Sequence, residues 1–334
     1  MGKLAINEVT TSKKRIITFS PVLRERLGQH IHGEIWASGI KKKLDEINLL
    51  ERPIHIISAN MHSVMNTIYS PFALTAEHKK HSAMEIYEML SDSKNTLLRE
   101  KVMKYAAQNG LIYIKDNSGT NINVQIIDTA KLPNTLTNSA IDSMPVLIVM
   151  DYAFGEQAYE TIDELLKPFN SKADKTHLNV ESISIMGKAG ILEGSKGDIM
   201  IPSAHIFEGT ADNYPFKNEL RVEDFETKDL KVFEGAMVTV LGTSLQNRDL
   251  LKFFHNSTWD VIGLEMEGVH YQKAIQAASK IRRSINPDVK VRYAYYASDN
   301  PLETGATLAS GGLGTSGVKP TYLITQQILK QILN

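Results

Sequence analysis

The stretch GLEMEGVHYQ, Gly263 to Gln272, sets Glu265 and Glu267 on either side of Met266, after the apolar residues Val261, Ile262 and Leu264 and before a helical pattern. Paired carboxyl groups offer a ligand either a proton or a set of acceptor oxygens. Alternation along a strand aims both glutamates at one side; the other reading starts the helix with a carboxylate at its positive end. Capping accounts for one glutamate and leaves the second to be explained. Groups of similar chemistry recur along the chain. YAYYASDNP places Ser298 and Asp299 after an aromatic strand and before Pro301, which taken alone reads as a turn or a helix cap. GKAG, Gly187 to Gly190, reads first as a tight turn and second as a place where backbone and Lys188 approach an anion. It is neither a Walker phosphate loop nor a G-x-G-x-x-G fingerprint. DYAFGEQ carries Asp151 and Glu156, and GTSLQN carries Thr243 and Ser244. His205 stands in an apolar run and reads as a hydrogen-bonded core residue before it reads as a catalyst.

Composition narrows the chemistry. The 334 residues include no cysteine, which excludes disulfides, thiolate metal sites and a cysteine nucleophile. There is no H-E-x-x-H pair, and no metal is expected. With 37 basic and 38 acidic side chains, the net charge of −1 gives no overall field for nucleic acid or an anionic membrane. The run Lys13 to Arg15 reads as a solvated face. The N-terminus lacks the apolar core of a signal peptide, and no run approaches the roughly 18 apolar residues of a membrane span. A soluble, cytoplasmic protein acting on a small molecule is the expectation.

The elements that must position these groups follow from periodicity. A strand is predicted near Ile54 to Ser58. Thr75 to Asn109 reads as helical with a break at SDS, and LIYIKDNSGTNINVQII reads as a hairpin turning at Asn117, Ser118 and Gly119. Val146 to Met150 is an unbroken apolar strand followed by helical spacing through Ile162, Leu165 and Leu166. VESISIMGKAGI and GAMVTVLGTS supply further strands, WDVIGLEMEGVHYQKAIQAASKI reads as strand, turn and helix, and VKVRYAYYASDNP is a last strand before the closing helix TYLITQQILKQIL. The class is α/β with a central sheet, and each polar cluster falls at the end of a strand, where such sheets collect ligands. Residues 1–50 read as a helical extension and 51–334 as one domain.

VIGLEMEGVHYQKAI followed by VRYAYYASDN is similar to the nucleoside phosphorylase and nucleosidase superfamily, in which a strand runs into E-M-E-[GA] and the next strand ends in Ser-Asp. SISIMGKAGILEGSKGDIMIPSAHI resembles the glycine-rich block of that superfamily. The matching blocks run from about Pro145 to Ser310, within a core of 145–334. The resemblance implies a three-layer α/β/α fold with a mixed central sheet. It also implies cleavage of a purine N-glycosidic bond, which needs a proton for the base and a grip on the sugar. By position Asp299, beside Ser298, is the acid serving the purine, and Glu267 takes the ribose hydroxyls beside Met266. Glu265 lies behind it or makes a further ribose contact, and Thr243 and Ser244 line the base.

The departures from the superfamily pattern point to the nucleophile. Its phosphorylases hold inorganic phosphate with arginines, yet no arginine occurs between Arg99 and Arg221. Asp151 and Glu156 stand in DYAFGEQ instead, which favours water, with Glu156 as its base. Lys188 replaces the usual serine or threonine beside Gly187 and is positioned by the resemblance to hold a substrate phosphate, as in AMP-cleaving members. Hydrolysis of a purine nucleoside or nucleotide is therefore expected, without a cofactor. The alternatives are a phosphorylase using inorganic phosphate as co-substrate, its anion site built from Arg24 or Arg26, and a non-catalytic nucleoside sensor. A hairpin usual between DYAFGEQ and SISIMGKAG is missing, and IHIISANMHSVMNTIY is expected to supply the absent strand and loop, with His62 at the site. A homo-oligomer is implied by the resemblance.

Overall fold

The computed structural model describes residues 10–11, 31–133, 143–170, 175–210, 212–227, 229–242, 248–303 and 314–333. Helix α1 (Ile31–Glu46) precedes β1 (Ile54–Ser58). Residues alternate in β1 so that Ile54 and Ile56 feed one core and Ile57 the other. A strand apolar on both faces belongs inside a covered sheet, and β1 lies between parallel neighbours β4 and β7. After β1 come α2 (Met61–Ala73), α3 (Thr75–His78), α4 (Ala83–Ser91) and α5 (Thr96–Gln108), with the predicted break between the last two. Ser82 and Glu85 form the capping box that starts α4. The hairpin β2 (Leu111–Ile114) and β3 (Val124–Asp128) pairs antiparallel to β4 (Val146–Met150).

The second half begins with α6 (Gln157–Leu165) and the small pair β5 (Phe169–Asn170) and β6 (Lys175–Thr176). Then follow β7 (Val180–Ile191), β8 (Ile199–Phe207), β9 (Asn213–Pro215), β10 (Val232–Thr239), α7 (Arg248–Asn256) and β11 (Val261–Glu265). Helix α8 (Gly268–Gln276) continues into a π-helical turn, and β12 (Lys290–Asp299) and α9 (Val318–Leu333) complete the chain. The main sheet has the order β11-β10-β8-β12-β7-β1-β4-β3-β2 and is mixed. Its first part curls until β11 also pairs with β7.

Helices α1, α6 and α8 cover one face, where Trp36, Ile40 and Leu44 join Ile162, Leu165, Ala274 and the strands in one core. Helices α2, α4, α5 and α9 cover the other through residues such as Val64, Ile86, Val102 and Ile324. This is the three-layer α/β/α arrangement expected.

Several expectations change. The segment IHIISANMHSVMNTIY supplies β1 to the sheet between β4 and β7, the hairpin β2–β3 extends the sheet beyond β4, and the only described strands between DYAFGEQ and the strand holding SISIMGKAG are the small pair β5–β6. GKAG is not a turn: β7 runs through it to Ile191. Helix α1, within the predicted extension, packs in the same core as β1, β4 and β7. Arg24, Arg26 and the run Lys13 to Arg15 lie outside the described residues. No described helix is long and apolar enough to cross a membrane.

Candidate active site

A cavity of about 380 Å³ opens at the carboxyl ends of β4, β7, β11 and β12. That size lies within the ~300–1,000 Å³ usual for small-molecule sites. Glu265, Met266, Glu267, Gly187, Lys188 and Ser298 line it, so the separate glutamate, glycine-block and Ser-Asp motifs converge on one place. The register explains how: Gly190 of β7 pairs with Leu264 of β11 on one side and with Asp299 of β12 on the other.

The two glutamates divide the work left open by the sequence. Strand β11 stops at Glu265, so alternation does not continue to Glu267. Glu265 is 3% exposed, and its carboxylate accepts the N–H groups of Glu267 (2.6 Å) and Gly268 and the hydroxyl of Thr239. Thr239 in turn accepts the Val269 N–H at 3.0 Å. The first turn of α8 is thereby capped from outside the helix, and its dipole faces a carboxylate. Burial works against the Glu265 charge, but the His205 imidazole, Thr239 and the Gly268 N–H outweigh it and hold the carboxyl below its usual range.

Glu267 makes no side-chain cap to its own helix. Its Oε1 accepts the Gly155 N–H at 3.0 Å, across from the β4 junction. Burial, and then the Glu265 charge, push its carboxyl from an ordinary 4.5 up to about 7 against the N–H groups of Gly155 and Met266. A carboxyl so placed switches protonation state near neutral pH.

His205 is fully buried behind this pair, with Nδ1 3.6 Å from Glu265 Oε1. It is a core residue, as expected, but neither ring nitrogen has a hydrogen-bond partner among the described residues. Phe216 stacks on it at 5.2 Å and Tyr293 meets it edge-on at 4.9 Å. The glycine of EMEG follows from this packing. A Cβ at Gly268 would overlap the imidazole and lie 2.7 Å from Glu265 Oε1.

Asp299, 7% exposed, is buried beside the lining residue Ser298, whose hydroxyl donates to its Oδ1. Asp299 Oδ2 has no hydrogen-bond partner among the described residues. Burial raises its pKa above the usual carboxylate value, against the Ser298 hydroxyl and the charges of Lys188 and Lys196.

Other predicted residues lie apart. His62 is exposed near the start of α2 and does not line the cavity; β1 contributes Ser58, which shares a 2.8 Å hydrogen bond with the hydroxyl of Tyr271. From the β4 junction the cavity takes Tyr152, Ala153 and Phe154 but neither Asp151 nor Glu156. Glu156 is exposed at the start of α6 and faces His270 electrostatically. Thr243 and Ser244 lie outside the described residues. Tyr271, Tyr295 and Tyr296 also line the cavity. The signal for them was present: Tyr271 follows Glu267 by one helical turn, and the other two precede Ser298 in YAYYASDN.

The model of a family of unknown function, DUF6909, matches residues 84–334. The chain belongs to that family. None of the curated proteins matches this DUF6909 chain in sequence. Among solved structures, futalosine hydrolase of Helicobacter pylori matches with a TM-score of 0.50 at 10% identity, covering 85% of this chain and 99% of that one. The 5′-methylthioadenosine/S-adenosyl homocysteine nucleosidase of Campylobacter jejuni gives 0.48 at 12% identity, covering 83% and 97%. The fold of the DUF6909 chain is that of the nucleoside phosphorylase and nucleosidase superfamily.

Proposed function

We propose that this protein cleaves the N-glycosidic bond of a purine nucleoside or nucleotide, with water as the acceptor. The observation that carries the reading is the pair Glu267 and Asp299, two carboxyl groups with raised pKa, one just past the end of β11 and the other at the end of β12, the strands that flank Gly190. Breaking a purine–ribose bond places positive charge on the sugar and negative charge on the base. Asp299 is assigned the proton given to the base, and ionised Glu267 accepts the ribose hydroxyls beside the developing oxocarbenium ion. Lys188, exposed on the cavity wall, supplies a cation for a 5′-phosphate. Asp151 and Glu156 lie off the cavity wall, so leaving-group protonation rather than water activation is assigned the larger share of the rate. That same observation favours the second reading, a sensor that binds nucleosides without turnover.

The test is a panel of purine nucleosides and their 5′-monophosphates, assayed for free base with and without inorganic phosphate. Base together with ribose or ribose 5-phosphate, formed without phosphate, supports hydrolysis. Binding without release supports the sensor, and strict phosphate dependence with ribose 1-phosphate as product makes the protein a phosphorylase. A monophosphate preference abolished by Lys188→Ala assigns the lysine to the phosphate.

A further inference from the structure

Segment 154–155, which presents an N–H to Glu267, has little packing to hold it. Phe154 is 77% exposed, Gly155 has φ +54, and a Cβ at Gly155 would meet nothing within 4 Å. Gln157 ties the segment down through both ends of its amide. Its Oε1 accepts the Phe154 N–H at 3.3 Å, and its Nε2 donates to the Thr120 carbonyl at 2.7 Å. Thr120 belongs to the turn between β2 and β3, which has its own internal ties. There the Asp116 carboxylate accepts the N–H groups of Ser118, Gly119 and Asn121 and the Ser118 hydroxyl. His32 of α1 meets the Ser118 carbonyl at 2.7 Å. A chain of hydrogen bonds thus runs from Asp116, through the turn and Gln157, to the amide beside Glu267.

We infer that Gln157 is a positioning residue for the sugar grip: it braces the loop after β4 against the β2–β3 turn and so keeps the Gly155 N–H on the Glu267 carboxylate. The inference rests on the nucleoside reading above. A hydrogen bond donated to a carboxylate favours its charged form. Burial and the charge of Glu265 hold Glu267 up at about 7, and the Gly155 N–H leads the groups that oppose them. The other titratable groups that interact with Glu267 are Tyr271 of α8 and Tyr295 of β12, both kept neutral in this range by burial. The brace therefore decides how much of the grip is ionised at neutral pH.

Gln157→Leu keeps the bulk and removes both hydrogen bonds. Adenosine affinity is measured by calorimetry from pH 6 to 9 in an Asp299→Asn background, which suppresses turnover and removes the titration of Asp299. Losing one charge-assisted hydrogen bond raises the proton affinity of a carboxylate about tenfold. For a group that titrates near 7, that lowers the ionised fraction at pH 7 from about half to about a tenth. Gln157→Leu is therefore expected to weaken adenosine about fivefold at pH 7 and hardly at all at pH 9. Asp116→Ala, at the far end of the brace, is expected to shift the profile the same way, although removing its negative charge would by itself shift it the other way. A loss equal at every pH, or no loss, would overturn the inference while leaving the nucleoside reading intact. A shift with Gln157→Leu and none with Asp116→Ala would make Gln157 a cap of α6 alone and would also overturn it. If adenosine does not bind with Gln157 intact, at pH 9 as at pH 7, the nucleoside reading fails and the inference with it.

Discussion

At the end of β11 only residues 266 and 267 separate strand from helix, whereas residues 151–156 separate β4 from α6. Both junctions carry two acidic residues, and both border the same cavity. In the short one, Glu265 has to fold back to cap α8, and Glu267 is left facing the cavity. In the long one, the loop satisfies itself: Asp151 accepts the Tyr152 N–H and Gln157 accepts the Phe154 N–H. Apolar and aromatic groups then turn inward and the acids do not. The junctions touch where the Gly155 N–H reaches Glu267. An acidic pair after a strand is thus a poor guide to a site until the distance to the helix, and the group that caps it, are known.

The largest expected effect separates Asp299, buried beside the cavity, from the carboxyls of the β4 junction. Asp299→Asn should lower base release by the 10²–10⁴ typical of a lost general acid, with nucleoside binding little changed. Glu156→Gln, tested in the same assay, should cost far less. Equal losses would return Glu156 to the reacting centre and erase the contrast between the junctions.

Next in size is a pH effect on stability. Glu267 titrates near 7 when folded and near 4.5 when unfolded. Between those values the folded state binds more protons, so this group's stabilising contribution is present below pH 4.5 and lost as pH rises through 7. At about 1.4 kcal/mol per unit, the loss is on the order of 3–4 kcal/mol. Denaturation of wild type and Glu267→Gln across pH 4–8 should show the variant gaining on wild type as pH rises. A constant difference would mean that Glu267 does not titrate in that window.

The glycines of the junctions differ in kind and give the smallest effects. Gly268→Ala meets the His205 imidazole and should cost about 1–3 kcal/mol through overpacking. Gly155 has φ +54, and a Cβ there would meet nothing within 4 Å, so Gly155→Ala should cost about 1–2 kcal/mol through backbone strain alone. Asparagine, which tolerates that conformation, should restore stability at 155 but not at 268. Chemical denaturation distinguishes the two, and rescue at both sites would refute the packing account of Gly268.

Most strands were legible because buried strands announce themselves as apolar runs: Ile54–Ser58 and Val146–Met150 form as read. What periodicity cannot convey is which strands become neighbours. β1 enters the sheet between β4 and β7, although a long stretch of helices and the β2–β3 hairpin separates it from both in sequence order. Likewise GKAG has the composition of a turn, yet pairing with β11 and β12 on its two sides keeps it extended. At the site, Glu267, Lys188 and Ser298 were readable from motif and strand end, and the structure brings them together. For the tyrosines the sequence signal was only their nearness to these motifs, because an aromatic residue at strand spacing is ordinarily core, and only the cavity separates Tyr295 from the equally buried Tyr293.

The account centres on Glu267 as the grip on a ribose. Its most direct test is the ratio of affinities for adenosine and 2′-deoxyadenosine, measured in the Asp299→Asn background with Glu267 intact and with Glu267→Gln. The account predicts a preference for the riboside that collapses toward unity when Glu267 is replaced, because the deoxy sugar already lacks one of the hydroxyls it holds. Equal losses for the two ligands, with the preference preserved, would contradict it.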